Sequence, residues 1–119
     1  MITGVDHVNI YTAKLAETRA FYVGLLGLTD GPRPDFQLPG AWFWAGKQAV
    51  LHVNEIAEPR VHQGALDHVS FAVADLDAAL APIAKAGVPY EVRPLPNNGG
   101  RQAFLFDPNG VRVELTCRV

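Results

Sequence analysis

The 119-residue sequence contains a single cysteine, Cys117, so no disulfide can form within the chain. That excludes a small cross-linked scaffold and agrees with a reducing compartment. Positive charge is not in excess: ten Lys and Arg stand against twelve Asp and Glu, a formal net charge of −2. A chain without a basic footprint is a poor match for nucleic acid or an anionic membrane surface, and neither is expected as a partner. No apolar run approaches the roughly 18–20 residues that a membrane helix needs. The opening "MITGVDHV" lacks a basic n-region and an apolar h-region. No signal peptide is therefore expected, and the expected location is the cytoplasm. What the chain does have is a hydrophobic fraction of 49%, enough for a core at this length.

It also repeats itself. "VDHVNIYT" at Val5–Thr12 and "LDHVSFAV" at Leu66–Val73 align at an offset of 61 positions, laying Asp6 on Asp67 and His7 on His68. A helical pattern follows each copy. The first is "TAKLAETRAFYVGLLG", with Thr12 as N-cap and Leu15, Tyr22 and Leu26 on one stripe. The second is "DLDAALAPIAKAG", with Asp75 as N-cap, Leu76, Leu80 and Ile83 on one stripe, and Gly87 as the stop. Pro82 removes a backbone donor inside the second helix, which predicts a kink or a shortened helix. The halves also close alike: "FWAGKQAVLHV" at Phe43–Val53 overlays "LFDPNGVRVEL" at Leu105–Leu115 at an offset of 62, and His52 falls on Glu114. Each reads as a β-hairpin with "AGKQ" or "DPNG" as its turn. The pattern predicts an α+β fold of two βαβββ modules, within one domain spanning 1–119. Module one covers about 1–57, a linker about 58–64, and module two about 65–119.

Alternation along the strands decides which side chains share a face. Val8 and Ile10 point one way and His7, Asn9 and Tyr11 the other; Val69, Phe71 and Val73 oppose His68, Ser70 and Ala72. In the closing strands Leu51 and Val53 oppose His52 and Asn54, while Val113 and Leu115 oppose Arg112, Glu114 and Thr116. Each module thus has an apolar face for its helix and a face carrying polar groups. His7, His52, His68 and Glu114 fall on the polar faces at repeat-related positions. Imidazole and carboxylate are the usual nitrogen and oxygen ligands of Zn, Fe, Ni, Co and Mn, so the four are candidate ligands of one divalent metal ion. Trp42, Trp44, Gln102, Phe104 and Phe106 can bring aromatic and polar walls to the same side. Arg101, of the opposite parity, reads either as a group that orients the substrate or as a solvated charge. The "PLPNNGGR" stretch, Pro94–Arg101, reads either as a flap or as a plain surface loop. Cys117 has the parity of the apolar face and is expected to be buried.

The "DHV" at both strand starts, "FYVGLLGL" at Phe21–Leu28 and "FDPNGVRVEL" at Phe106–Leu115 together resemble the vicinal oxygen chelate superfamily. That superfamily includes glyoxalase I, methylmalonyl-CoA epimerase, fosfomycin-resistance thiol transferases, extradiol dioxygenases and bleomycin-resistance proteins. The resemblance implies two βαβββ modules cupped around a divalent metal (Zn, Ni, Mn, Co or Fe), with His7, His68 and Glu114 as ligands. Glyoxalase I carries a further Glu, and the epimerase a Gln, where this chain has His52. His52 is then a fourth ligand or an imidazole base, and with Glu114 it forms the candidate catalytic pair. Asn9, Trp42, Trp44, Gln102, Phe104 and Phe106 are the candidate substrate contacts. Many relatives are homodimers that exchange modules, so the site is expected within one chain or across two. The implied activity is that of a metal-dependent lyase or isomerase of glyoxalase type on a small oxygen-chelating substrate. The alternatives are a metal-free small-molecule binder of bleomycin-resistance type and a small extradiol-type dioxygenase. His62, in the linker, is a weaker candidate ligand.

Overall fold

Alternating β-branched and aromatic residues, punctuated by Gly and Pro, build eight strands among the described residues. The computed structural model describes residues 1, 3–59 and 65–119; most of the expected linker, and His62 with it, lies outside the described residues. The chain divides into two compact units, Met1–His62 and Gln63–Val119. The first unit contains β1 (Val8–Thr12), a helical segment α1 (Leu15–Arg19) that continues as a π-helical stretch (Ala20–Leu25), β2 (Thr29–Gly31), β3 (Gly40–Ala45) and β4 (Gln48–Glu55). The second contains β5 (His68–Ala72), α2 (Leu76–Lys85), β6 (Glu91–Pro94), a 3-10 turn (Pro96–Asn98), β7 (Gly100–Phe106) and β8 (Arg112–Arg118). The sheets have orders β1-β4-β3-β2 and β5-β8-β7-β6. In each, the first strand runs parallel to the last and the other neighbours are antiparallel. This is the α+β, twice-βαβββ architecture expected from the repeat.

The strand register carries the repeat down to single residues. Asn9 faces His52 across β1 and β4, and Ser70 faces Glu114 across β5 and β8. Trp42 faces His52 across β3 and β4, and Phe104 faces Glu114 across β7 and β8. Ile10, Phe21, Tyr22, Phe43, Leu51 and Val53 are buried in the first unit, and Leu76, Leu80, Ile83, Leu105, Val113 and Leu115 in the second. The apolar parity read from the sequence is the parity that packs under each helix.

The two helices differ in how closely they follow the sequence pattern. Asp75 caps α2 by accepting from the Ala78 N–H at 3.1 Å, and Leu76, Leu80 and Ile83 are its buried stripe. Gly87 adopts φ +73° just beyond the end. Pro82 neither breaks nor shortens it: α2 runs three residues further, to Lys85. The first helix departs more. Thr12 does not cap it but ends β1, its hydroxyl accepting the Lys14 N–H at 2.8 Å, and the helix starts at Leu15. Beyond Arg19 the coil widens, with the Leu26 N–H bonded to the Phe21 carbonyl at 2.9 Å. The wider turn brings Phe21 and Tyr22 into the core together, so the buried set is Thr18, Phe21 and Tyr22, while Leu15 and Leu26 are half-buried. Among the described residues no helix is long and apolar enough to cross a membrane.

Candidate functional site

The polar face of the first unit is built on β1, β3 and β4. His7 lies one residue before β1 rather than inside it, and is held there by two contacts. Gln48, at the start of β4, donates to the backbone carbonyls of Val5 and Asp6. Asp6 takes the His7 Nδ1 in a hydrogen bond of 2.7 Å, which leaves Nε2 uncommitted. The His7 ring stacks on His52 at 3.7 Å and 13°, and His52 stacks in turn on Trp42 at 3.9 Å and 8°. Ring-nitrogen lone pairs lie in the ring plane, so two nearly parallel imidazoles present theirs side by side; one ring must turn for both to hold one ion. Burial first, and the neighbouring His7 second, push the His52 pKa below the ordinary imidazole value, favouring the neutral ring. Asn9 accepts from the Asn54 amide at 2.8 Å on the same face.

Trp44 is set apart from this stack. A bulge between Phe43 and Trp44 shifts the β3–β4 register there, and the Trp44 ring lies across Gly31 with its indole N–H donating to the Pro32 carbonyl at 3.2 Å. Arg33 enters the face from the β2–β3 connection, bonded to the Leu38 carbonyl at 3.0 Å and placed 5.0 Å from the Phe36 ring centre. Sequence reasoning missed it, because the "GPRPD" stretch that carries it belongs to no periodic element.

The second unit repeats the arrangement with other chemistry. His68, the first residue of β5, is bonded through Nδ1 to Asp67 at 2.8 Å, as His7 is to Asp6. Asp67 also receives the Arg112 guanidinium at 2.9 Å, and these bonds, that of His68 foremost, hold its carboxyl below the usual carboxylate range. The other imidazole nitrogen, Nε2, stands 3.6 Å from a Glu114 oxygen, too far for a hydrogen bond. Glu114 is only 9% exposed, and among the described residues His68 is its sole ion-pair partner. Phe104 lies under Arg112 at 4.5 Å and near Arg93 at 5.1 Å. Gln102 is half-buried opposite Thr116, Phe106 is 62% exposed, and Ser70 bonds Thr116 at 2.8 Å where the first unit has Asn9 and Asn54.

Three other sequence readings have their surroundings in the second unit. Arg101 pairs with Asp77 of α2 at 3.0 Å, on the helix side of the sheet and off the polar face. Pro94–Arg101 spans the β6–β7 connection, from the last residue of β6 to the second of β7, and is closed by the Leu95 N–H on the Gly100 carbonyl at 2.8 Å. Cys117 is half-buried rather than buried, its thiol donating to the Ala74 carbonyl at 3.4 Å.

Neither unit by itself gathers three or more His, Cys, Asp and Glu side chains into a metal cage among the described residues. Each brings two donors together: His7 with His52, and His68 with Glu114. In both, a carboxylate one residue before the histidine fixes Nδ1 and leaves Nε2 free, the arrangement in which metal-binding histidines are usually held. The repeated "DH" dipeptide was the signal for this in the sequence, where only the histidine had been given a role.

Residues 4–115 match the family model described as Glyoxalase/Bleomycin resistance protein/Dioxygenase superfamily. Among curated proteins, the chain is 30% identical to the Escherichia coli protein YaeR over 93% of each chain. It is 27% identical to Arabidopsis thaliana Glyoxylase I 4 over 96% of this chain and 70% of that one. Among solved structures, a Bacillus anthracis protein assigned to the glyoxalase family superposes with a TM-score of 0.83 at 25% identity, covering 100% of this chain and 98% of the other. The fosfomycin resistance protein FosX of Listeria monocytogenes, in complex with Mn(II) and a dihydroxypropylphosphonic acid, shares the fold with a TM-score of 0.78 at 18% identity, covering 100% and 95%.

Proposed function

The chain belongs to the Glyoxalase/Bleomycin resistance protein/Dioxygenase superfamily, and on that premise we propose that it is a metal-dependent enzyme of glyoxalase type acting on a small oxygen-chelating substrate. His7, His68 and Glu114 hold one divalent cation (Zn, Ni, Mn, Co or Fe), with His52 as a fourth ligand or as a base, in a site formed within one chain or across a homodimer. The carrying observation is Glu114, a nearly buried carboxylate that accepts no hydrogen bond among the described residues and faces an uncommitted imidazole nitrogen at 3.6 Å. An imidazole nitrogen and a carboxylate oxygen that face each other without a hydrogen bond are two of the usual donors of a divalent cation, so the donor set fits a metal.

When bound, the cation supplies Lewis acidity toward substrate oxygens and stabilises negative charge developing on them. Asp6 and Asp67 fix the imidazoles of His7 and His68 through Nδ1 and keep each Nε2 available. His52, held toward its neutral form, keeps a lone pair at neutral pH and can accept a proton from the substrate's carbon acid. Trp42 and Phe104 line the substrate's side with their rings, and Asn9 and Gln102 offer amides that orient its oxygens. Phe106 and Trp44 form the outer walls. The protein works in the cytoplasm.

Protein purified without chelator tests this by elemental analysis, wild type beside His68→Ala. Stoichiometric divalent metal in the wild type, lost in the variant, is the expected result. A second reading, a metal-free binder of planar molecules, is favoured by the His7–His52–Trp42 ring stack. A wild type that holds no metal under those conditions contradicts the metalloenzyme and leaves the binder as the reading to test.

A further inference from the structure

Four described arginines are matched with carboxylates: Arg19 with Asp30, Arg93 with Glu91, Arg101 with Asp77 and Arg112 with Asp67. Arg33 is half-buried and has no carboxylate partner among the described residues. Its Nη1 donates to the Leu38 carbonyl at 3.0 Å, its Nη2 reaches the Asn54 side-chain oxygen at 3.4 Å, and its buried Nε has no partner. A guanidinium has five N–H donors in a planar fork; here two meet neutral oxygens and none meets an anion. A cation that served only to close the β2–β3 connection would need no more than the Leu38 carbonyl. This one lies on the polar face instead. A Cβ at Gly40 would come within 2.7 Å of Nη2, so the glycine leaves the floor on which the guanidinium rests. Asn54, its second partner, also bonds Asn9, the residue opposite His52. Flat groups then follow one another: Arg33 over Phe36 at 5.0 Å, Phe36 by Trp42 at 6.2 Å, and Trp42 on His52 at 3.9 Å.

We propose that Arg33 is an oxyanion-binding residue on the polar face of the first unit, and that its ligand is a small planar carboxylate. The carboxylate meets the guanidinium fork and the flat body of the molecule lies along the aromatic rings. The proposal rests on the functional reading above only in taking this face as the substrate's side; the anion contact itself needs no metal.

Benzoate is the probe, benzamide its uncharged isostere, and inorganic phosphate the non-planar oxyanion. Binding is followed by NMR at the Trp42 indole and the Asn54 side-chain amide, with metal content measured on the same samples. Benzoate is expected to saturate both signals, with benzamide and phosphate each at least about tenfold weaker, the scale of one charge-assisted hydrogen bond. Arg33→Gln is expected to weaken benzoate by about tenfold or more and to leave benzamide unchanged, with Arg33→Lys in between because it keeps the charge but not the fork. Equal binding of benzoate and benzamide, phosphate binding without benzoate, or no saturable benzoate binding overturns the proposal. So does an Arg33→Gln protein that binds benzoate as the wild type does. If Arg33→Gln fails to fold, the wild-type comparison of the three probes decides alone. Metal-free wild type that still selects benzoate removes the metalloenzyme and keeps this subsite; stoichiometric metal without benzoate selectivity does the reverse.

Discussion

At the residue scale the informative feature is the pairing of each strand-start histidine with the aspartate before it. Asp67 accepts from both His68 and Arg112, so Asp67→Asn removes the negative charge that fixes the Nδ1–H form of His68. Metal affinity is expected to fall about 10–100-fold, with the fold retained, as read by competition with a chelating dye. His52 gives a pH prediction. Its folded-state pKa lies below the ordinary imidazole value, so the unfolded chain takes up that proton first as pH falls. The His52 contribution to stability is therefore complete above about pH 6.5 and declines as pH drops from there toward the folded-state value. NMR titration of metal-free protein is expected to place the His52 midpoint below 6.5, within about the range reached by partly buried imidazoles. His52, His68 and Glu114 were legible on the polar faces because alternation in a strand is strict, and His7, one residue before β1, was legible from the repeat. Arg33 was not, because a side chain arriving from an irregular connection has no periodicity to announce it.

At the element scale, what could be read tracks how local the determining forces are. The second helix was legible almost entirely: the Asp75 cap, the apolar stripe and Gly87 are all within a few residues of one another. Asp75→Ala is expected to cost about 1 kcal/mol, and Ile83→Ala, at a fully buried site, about 3 kcal/mol, both by denaturant unfolding. Pro82 does not end the helix, which runs on to Lys85 despite the donor that proline lacks. The first helix was read as one α-helix, yet it widens into a π-helical stretch so that Phe21 and Tyr22 can both be buried against β-sheet residues such as Phe43. That demand comes from the tertiary core, not from the helix's own sequence. The hairpin turns were legible too. Gly46 takes φ +59° in the two-residue β3–β4 turn, and Asp107 accepts the Asn109 and Val111 N–H groups in the β7–β8 turn.

At the scale of the whole molecule, the duplicated sequence becomes two sheets of the same strand order, and the register sets His52 against Glu114 as equivalents. Each unit offers two donors, and the ligand set proposed above draws on both pairs. Mixing His7→Ala with His68→Ala protein separates the two assemblies that can supply it. Ligands drawn across a two-fold dimer predict recovery of about a quarter of the wild-type metal after subunit exchange, whereas ligands drawn within one chain predict none. The central claim is that one cation is shared by His7, His68 and Glu114, with His52 beside it. Its most direct test is anomalous diffraction from crystals of protein purified without chelator. One metal peak per chain is expected, about 2.0–2.2 Å from His7 Nε2, His68 Nε2 and a Glu114 oxygen. Metal bound elsewhere, or those three side chains turned away from one another in every copy, would contradict it.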